Sequence, residues 1–247
     1  VNATRLRALH RPGTALVLPN AWDAMSARLV QDAGFSAVAT SSVAVAAGLG
    51  YADREQAPPE EMLAAARRMA RAVSVPVTVD AESGYGLPPA ELAERLLAAG
   101  VAGCNVEDTE HPSGRRREQA EQADLLAALR SAAGAELVLN ARIDSFLEAG
   151  DEWAALPDAL RRAESYLAAG ADCVYPIHMR DPEVVAAFTE RLRPAAVNVT
   201  YLPGMPDVAG LARLGVARIS FGGGLLAATR SWLGRRLADL ADGTMPY

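Results

Sequence analysis

The stretch PVTVDAESGYGLPPAELAERLLAAGVAGCNVED, residues 76–108, decides the fold. Its opening VTVDAE, over 77–82, is rich in β-branched residues and predicts a strand. Pro88 then opens an Ala/Leu-rich helix over 88–99, at a position where a missing N–H is harmless. Gly100 closes that helix, because glycine tolerates the left-handed conformation that ends one. A second strand follows over 103–107. Two strands joined through a helix run parallel and form a βαβ unit.

The same unit recurs along the chain. Strands are predicted at 16–20, 37–41, 77–82, 103–107, 137–142, 173–178, 196–200 and 218–221. Helices are predicted at 21–33, 59–73, 88–99, 117–132, 153–168, 182–192, 206–214 and 225–240. Eight strands alternating with eight helices, with no linker or shift in composition, give an α/β fold. The expected architecture is a single (β/α)8 TIM-type barrel over 1–247. An open doubly wound sheet fits less well, because the first strand–helix turn, LPNAWDA at 18–24, has no glycine phosphate fingerprint. Gly222, Gly223 and Gly224 follow the last strand, and either bind a phosphate or make a tight turn.

Composition narrows the chemistry. The 247 residues include 24 basic side chains and 30 acidic ones, and every basic one is Arg. Without Lys, the side chains offer no amine for a Schiff base and no P-loop lysine. A net charge of −6 argues against a nucleic-acid partner. No apolar run approaches the roughly 20 residues that span a bilayer. With no leader apparent, and with Cys104 and Cys173 in apolar strands, the expectation is a cytoplasmic protein with reduced thiols.

A barrel places its active site at the C-terminal ends of its strands. Asp80 and Glu82 end the strand at 77–82, two apart and so on one face. Asn105 and Glu107 share a face at the next strand end, with Asp108 on the other, and Asn140 and Arg142 share one at the strand after. Asp53 lies in the loop after the second strand. Asp53, Asp80, Glu82 and Glu107 are therefore expected to converge on one rim, where their repulsion calls for a cation. An all-oxygen set suits Mg2+, or Mn2+, and not zinc. Arg142 suits a substrate carboxylate, or pairs with the same acids.

Several segments, in this order, resemble the isocitrate lyase/phosphoenolpyruvate mutase superfamily: LPNAWDAMSARL (18–29), TSSVAVAAGLGYAD (40–53), VDAESGYG (79–86), NVED (105–108) and NARIDSF (140–146). The resemblance implies a Mg2+ ion, held by Asp53, Asp80, Glu82 and Glu107 largely through waters, with Asp80 the direct ligand. It implies that Ser41, Ser42 and Val43 bind a substrate carboxylate and that Arg142 lies near the oxyanion or leaving group. It adds His178 and Asn198 to the pocket wall, and a small 2-oxoacid or dicarboxylate as substrate. The implied chemistry is a pyruvate enolate, which serves C–C cleavage, decarboxylation or P–C bond chemistry.

The loop at 107–121, EDTEHPSGRRREQAE, departs from the better-known members. It lacks the Cys of the Lys-(Lys/Arg)-Cys-Gly-His lyase loop, and Thr109 stands where mutase-type loops carry Lys. Arg115, Arg116 and Arg117 either restore that charge or form an exposed start to the next helix. What remains is a Mg2+-dependent lyase or decarboxylase of the oxaloacetate decarboxylase type, with Asp53, Glu107 or His111 handling protons and Tyr51 and Tyr85 near the rim. Mutase-type P–C chemistry and a non-catalytic 2-oxoacid-binding protein are the alternatives. Leu225, Leu226, Trp232, Leu233, Leu237 and Leu240 on the last helix fit the family's exchange of that helix between subunits, in a dimer or tetramer.

Overall fold

The computed structural model describes residues 2–111 and 113–245; Val1, Pro112, Pro246 and Tyr247 lie outside it. The strands are β1 (Leu16–Leu18), β2 (Asn20–Ala21), β3 (Val38–Thr40), β4 (Val77–Asp80) and β5 (Gly103–Glu107). They continue with β6 (Val138–Ile143), β7 (Cys173–Pro176), β8 (Ala196–Thr200) and β9 (Arg218–Ser220). All pair in parallel, in the order β1-β9-β8-β7-β6-β5-β4-β3-β2. The ends of that order meet, because β1 and β2 are halves of one segment parted at Pro19, which has no N–H for the ladder. The sheet is thus a TIM-type barrel with eight strand positions.

The helices are α1 (Asn2–Leu9), α2 (Ala24–Asp32), α3 (Ser42–Leu49), α4 (Pro59–Ala72) and α5 (Pro89–Ala98). After them come α6 (Gln119–Ala133), α7 (Glu152–Ala168), α8 (Pro182–Leu192), α9 (Val208–Arg213) and α10 (Gly224–Ala241). In α5, Pro88 is the N-cap and Pro89 the first helical residue, while Leu92, Ala93 and Leu96 bury one face. Gly100, at φ 79°, turns the chain out of the helix, and the Ala102 N–H starts the next ladder on the Val77 carbonyl at 2.7 Å.

Two helices were absent from the sequence reading. α1 buries Ala3 and Leu6, and Leu6 packs with Leu16, Leu18, Ala37, Ala39, Ala102 and Val138. α3 falls in the Ala-rich segment after β3, where uniform apolarity gave no helical period. α10 is the opposite case, a long helix with no buried residue, on which Trp232 is 57% and Leu237 55% exposed.

Gly103 lets α1 and the sheet approach closely. A Cβ there would stand 2.6 Å from the Val138 carbonyl oxygen and 3.2 Å from Leu6 Cδ2. Gly103→Ala is therefore expected to lower unfolding stability by about 1–3 kcal/mol, measured by urea denaturation. A stability equal to wild type would show that the backbone yields there.

Candidate active site

The C-terminal mouth of the barrel opens into a cavity of about 1030 Å3. Asp53, Asp80, Glu107, Arg142 and His111 all line it, as the strand-end argument requires. The segment containing Asp53 is brought over β4 by the turn that follows α3, in which Gly50, at φ 91°, ends the helix.

Asp80 is held from two sides. Its N–H donates to Thr40 Oγ1 at 2.9 Å, and its Oδ2 accepts from the Ser42 N–H at 3.1 Å. Asp80 Oδ1 is buried without a partner, and so is Asp53 Oδ1. Glu82 departs from expectation, since it does not line the cavity. β4 ends at Asp80, and Glu82 sits at φ 49° in the turn that follows, so the alternation that would put both acids on one face has already broken. Glu82 Oε1 instead accepts from the Glu55 N–H at 2.7 Å, and burial pushes its carboxyl up to about 8. Glu55 answers through its own side chain, whose Oε1 accepts from the Ser83 N–H (3.0 Å), the Ser83 hydroxyl (2.6 Å) and the Tyr85 N–H (2.8 Å). This clamp locks the Asp53 loop to the turn after Asp80.

Glu107 is the buried anion of the site, with a side chain 1% exposed. Its Oε2 pairs with Arg142 Nη1 and its Oε1 meets His111 Nε2. Burial raises Glu107 to about 7, against the opposing pull of Arg142 and His111. Burial alone would lower His111, but the Glu107 contact and the nearby carboxylates outweigh it, and its pKa is raised. Arg142 Nε also donates to Asp144 Oδ1 at 2.7 Å. Asp108, on the far face of β5 as expected, supports this layer from behind. It accepts from the Asp144 N–H at 3.0 Å, from Arg162 Nη1 at 3.0 Å and from the Tyr166 hydroxyl at 2.9 Å.

The three arginines of the following loop separate. Arg115 is paired at the surface with Glu110 and Glu121, and Arg116 lines the cavity while pairing with Asp158 at 3.3 Å. Arg117, read as part of an exposed helix start, is buried. It donates to the Glu107 carbonyl at 3.2 Å and the Ser83 carbonyl at 3.1 Å, so the helix begins two residues later than predicted.

Ser41, Ser42 and Val43 line the cavity at the N-terminus of α3, although the Ser42 N–H is engaged by Asp80. His178 lines it too, and burial together with the Arg142 charge lowers its pKa. Asn198 does not reach it. It lies fully buried one layer below, accepting from Asn140 Nδ2 at 3.1 Å, and Thr200, two residues on, is the β8 residue at the cavity. Tyr51 turns away to Glu61 at 2.7 Å, and the Tyr85 hydroxyl sits under the Asp80 carbonyl at 3.4 Å. Asp144 and Tyr175 are lining residues that the sequence reading passed over. Asp144 was detectable as an acid just past the end of β6, within two residues of Arg142.

The family model for phosphoenolpyruvate phosphomutase matches residues 6–241. The chain belongs to the PEP mutase/isocitrate lyase superfamily. It is similar to a crystal structure of a provisionally assigned phosphonomutase from Burkholderia cenocepacia J2315. The two share 41% identity and a TM-score of 0.91, over 96% of this chain and 99% of that one. It is 32% identical over 208 residues to 2-methylisocitrate lyase of Bacillus subtilis (strain 168), spanning 80% of this chain and 67% of the relative. It is also 32% identical over 218 residues to oxaloacetate decarboxylase of Pseudomonas entomophila (strain L48), spanning 85% of this chain and 74% of the relative. The superfamily thus holds both lyases and mutases.

Among the described residues, no three His, Cys, Asp or Glu side chains form a metal cage by themselves. The four acids read from the sequence are thus spread around the mouth, with Glu82 behind it. The residues nevertheless fit a hard cation. Asp80 Oδ1 and Asp53 Oδ1 are buried, unpartnered oxygens, and Mg2+ characteristically takes one or two carboxylates and keeps waters for the rest.

Neither cysteine belongs to the site. Both are fully buried, and burial pushes each thiol up to about 12. Folded protein is therefore expected to resist a water-soluble disulfide reagent at pH 8, and both thiols to react after denaturation. Rapid labelling of folded protein would place a thiol within reach of solvent.

Proposed function

We propose that this chain is a Mg2+-dependent enzyme that cleaves or decarboxylates a small 2-oxo or 2-hydroxy (di)carboxylate through a pyruvate enolate. The observation that carries this reading is the pair of free carboxylate oxygens on Asp53 and Asp80 beside the paired Glu107 and Arg142. Asp80 would hold the ion directly, with Asp53 and Glu107 acting through water, and Mn2+ suits the same oxygens. Held there, such an ion would supply Lewis-acid polarisation of the substrate's 2-oxo oxygen.

The rest falls to the chain's own residues. Ser41 and Ser42 offer their hydroxyls, and Val43 its helix N-terminal N–H, to the substrate carboxylate, the Ser42 N–H being held by Asp80. Arg142 uses Nη1 and Nε on its acid partners and turns its remaining donors to the oxygen where charge develops. Glu107 Oε1 meets His111 Nε2, and burial pushes Glu107 up to about 7, the range in which a general acid or base works best. Asp53 is the other acid positioned to move a proton. The lyase and the decarboxylase among the relatives support this class. Arg116, lining the cavity, favours a second reading as a phosphonate mutase in which arginine replaces the loop lysine.

α10 supports a further element, an assembly of two or four copies. Its exposed Trp232, Leu233 and Leu237 match the exposed Met25 and Leu29 on α2 in character, as expected if a partner's helix covers that face.

Two outcomes are expected. In D2O with Mg2+, pyruvate should exchange its methyl protons, as read by NMR; chelation should stop the exchange, and Asp80→Ala should slow it by more than about 100-fold. Binding of pyruvate without exchange would point to a binding protein, and conversion of phosphoenolpyruvate to phosphonopyruvate to the mutase. By light scattering, the wild type should be dimeric or tetrameric and Trp232→Glu should shift it toward monomer. A monomeric wild type would remove the assembly.

A further inference from the structure

We infer that Asn105 is a substrate-binding residue: its Nδ2, held toward the cavity by the buried Arg218, donates a hydrogen bond to an oxygen at the 2-oxo-carboxylate end of the ligand. The inference deepens the enolate-site reading and rests on it.

Asn105 lines the cavity and stands beside Asp80 in the β4–β5 register, two residues before Glu107 on one face of β5. An amide can face a cavity with either end, and the layer beneath Asn105 decides which end it is. Arg218 Nη2 lies 3.1 Å from Asn105 Oδ1, and a guanidinium only donates, so the atom that meets it must be the oxygen. Asn140 Nδ2 donates to the same oxygen at 2.8 Å and to Asn198 Oδ1 at 3.1 Å, so Asn140 is fixed in the same sense. With both lower contacts made on Oδ1, Nδ2 is the end left for the cavity. Among the described residues Nδ2 donates to no protein acceptor.

Arg218 is fully buried, and its Nε and Nη1 have no partner among the described residues. It meets an amide where a buried guanidinium ordinarily meets a carboxylate. An apolar side chain of similar size would fill the space at lower cost, so stability does not account for the charge. Its consequences at the cavity floor do. It fixes the Asn105 amide, and it sets a positive charge below a mouth lined by Asp53, Asp80, Glu107 and Asp144. An anionic ligand entering among those acids needs donors that are not already engaged. Arg142 Nη1 and Nε are held by Glu107 and Asp144, and the Ser42 N–H by Asp80, whereas Asn105 Nδ2 is free beside Asp80.

The test is calorimetric titration with pyruvate in the presence of Mg2+, set beside Mn2+ binding and the melting temperature. Asn105→Ser keeps an oxygen but brings no amide N–H to the cavity; pyruvate should bind about tenfold more weakly, with Mn2+ affinity within about twofold of wild type. Asn105→Asp keeps an oxygen for Arg218 and turns a carboxylate oxygen to the ligand. Its affinity for pyruvate should fall by at least about 30-fold, while Mn2+ binds at least as tightly as to wild type. Arg218→Met releases the amide and should weaken pyruvate binding about tenfold, whereas Arg218→Lys, still a pure donor, should stay within about threefold of wild type. The inference is overturned if Asn105→Ser binds pyruvate as wild type does, or if its pyruvate affinity, Mn2+ affinity and melting temperature all fall together, as for a purely structural residue. Arg218→Met with wild-type affinity would overturn the part given to Arg218. If one Asn105 variant does not fold, the other decides. Wild-type binding of pyruvate alongside any of these results leaves the enolate-site reading standing; a wild type that binds no pyruvate removes both.

Discussion

Glu107 carries a carboxylate into a nearly dry position, and the rest of the site is arranged around keeping it there. An isolated buried carboxylate would take up a proton, and burial does push Glu107 upward. Arg142 opposes that shift from the next strand, because β5 and β6 place Glu107 directly opposite Arg142 in register. Arg142 is anchored in turn by Asp144, whose backbone is held by Asp108, and Asp108 by Arg162 and Tyr166 on α7. A chain of ion pairs and hydrogen bonds thus runs from the helix layer through the barrel wall to the cavity. Breaking it at any member strands an uncompensated charge, which costs far more than the intact network contributes.

Below the mouth, the barrel is plugged by a polar layer. Asn105 Oδ1 accepts from Asn140 at 2.8 Å and from Arg218 at 3.1 Å, and Asn198 links Asn140 to Ser220. Alternation along the strands stacks this layer under Glu107, Arg142 and Thr200, two residues further on in each strand. The floor of the cavity is therefore rigid, while its walls come from loops, where substrate preference can vary without disturbing the barrel.

Much of this was legible in the residues. Parallel strands recur because β-branched runs alternate with Ala/Leu helices that open on proline and close on glycine, and each signal is local. The strand-end acids were legible for the same reason, and Asp53, Asp80, Glu107, Arg142 and His111 do gather at one cavity. Glu82 misleads because a period of two holds only while the strand lasts, and β4 stops at Asp80. Asn198 misleads by one layer of height along β8. Arg117 looks like a surface charge, yet carbonyls from Glu107 and Ser83, remote in sequence, bury it. The Glu55 clamp had no visible signal, since its partners lie 28 and 30 residues away across a loop–loop contact.

The sequence by itself determined the barrel, the clustering of carboxylates near its strand ends and the absence of a lysine side chain. Those follow from residue type and spacing, which are properties of the chain alone. Only the tertiary structure decided which acids keep a free oxygen and which are consumed by arginine or by backbone N–H groups. Burial and partnership are set by neighbours brought together from distant segments, and these determine whether a carboxylate or an arginine remains available to a ligand.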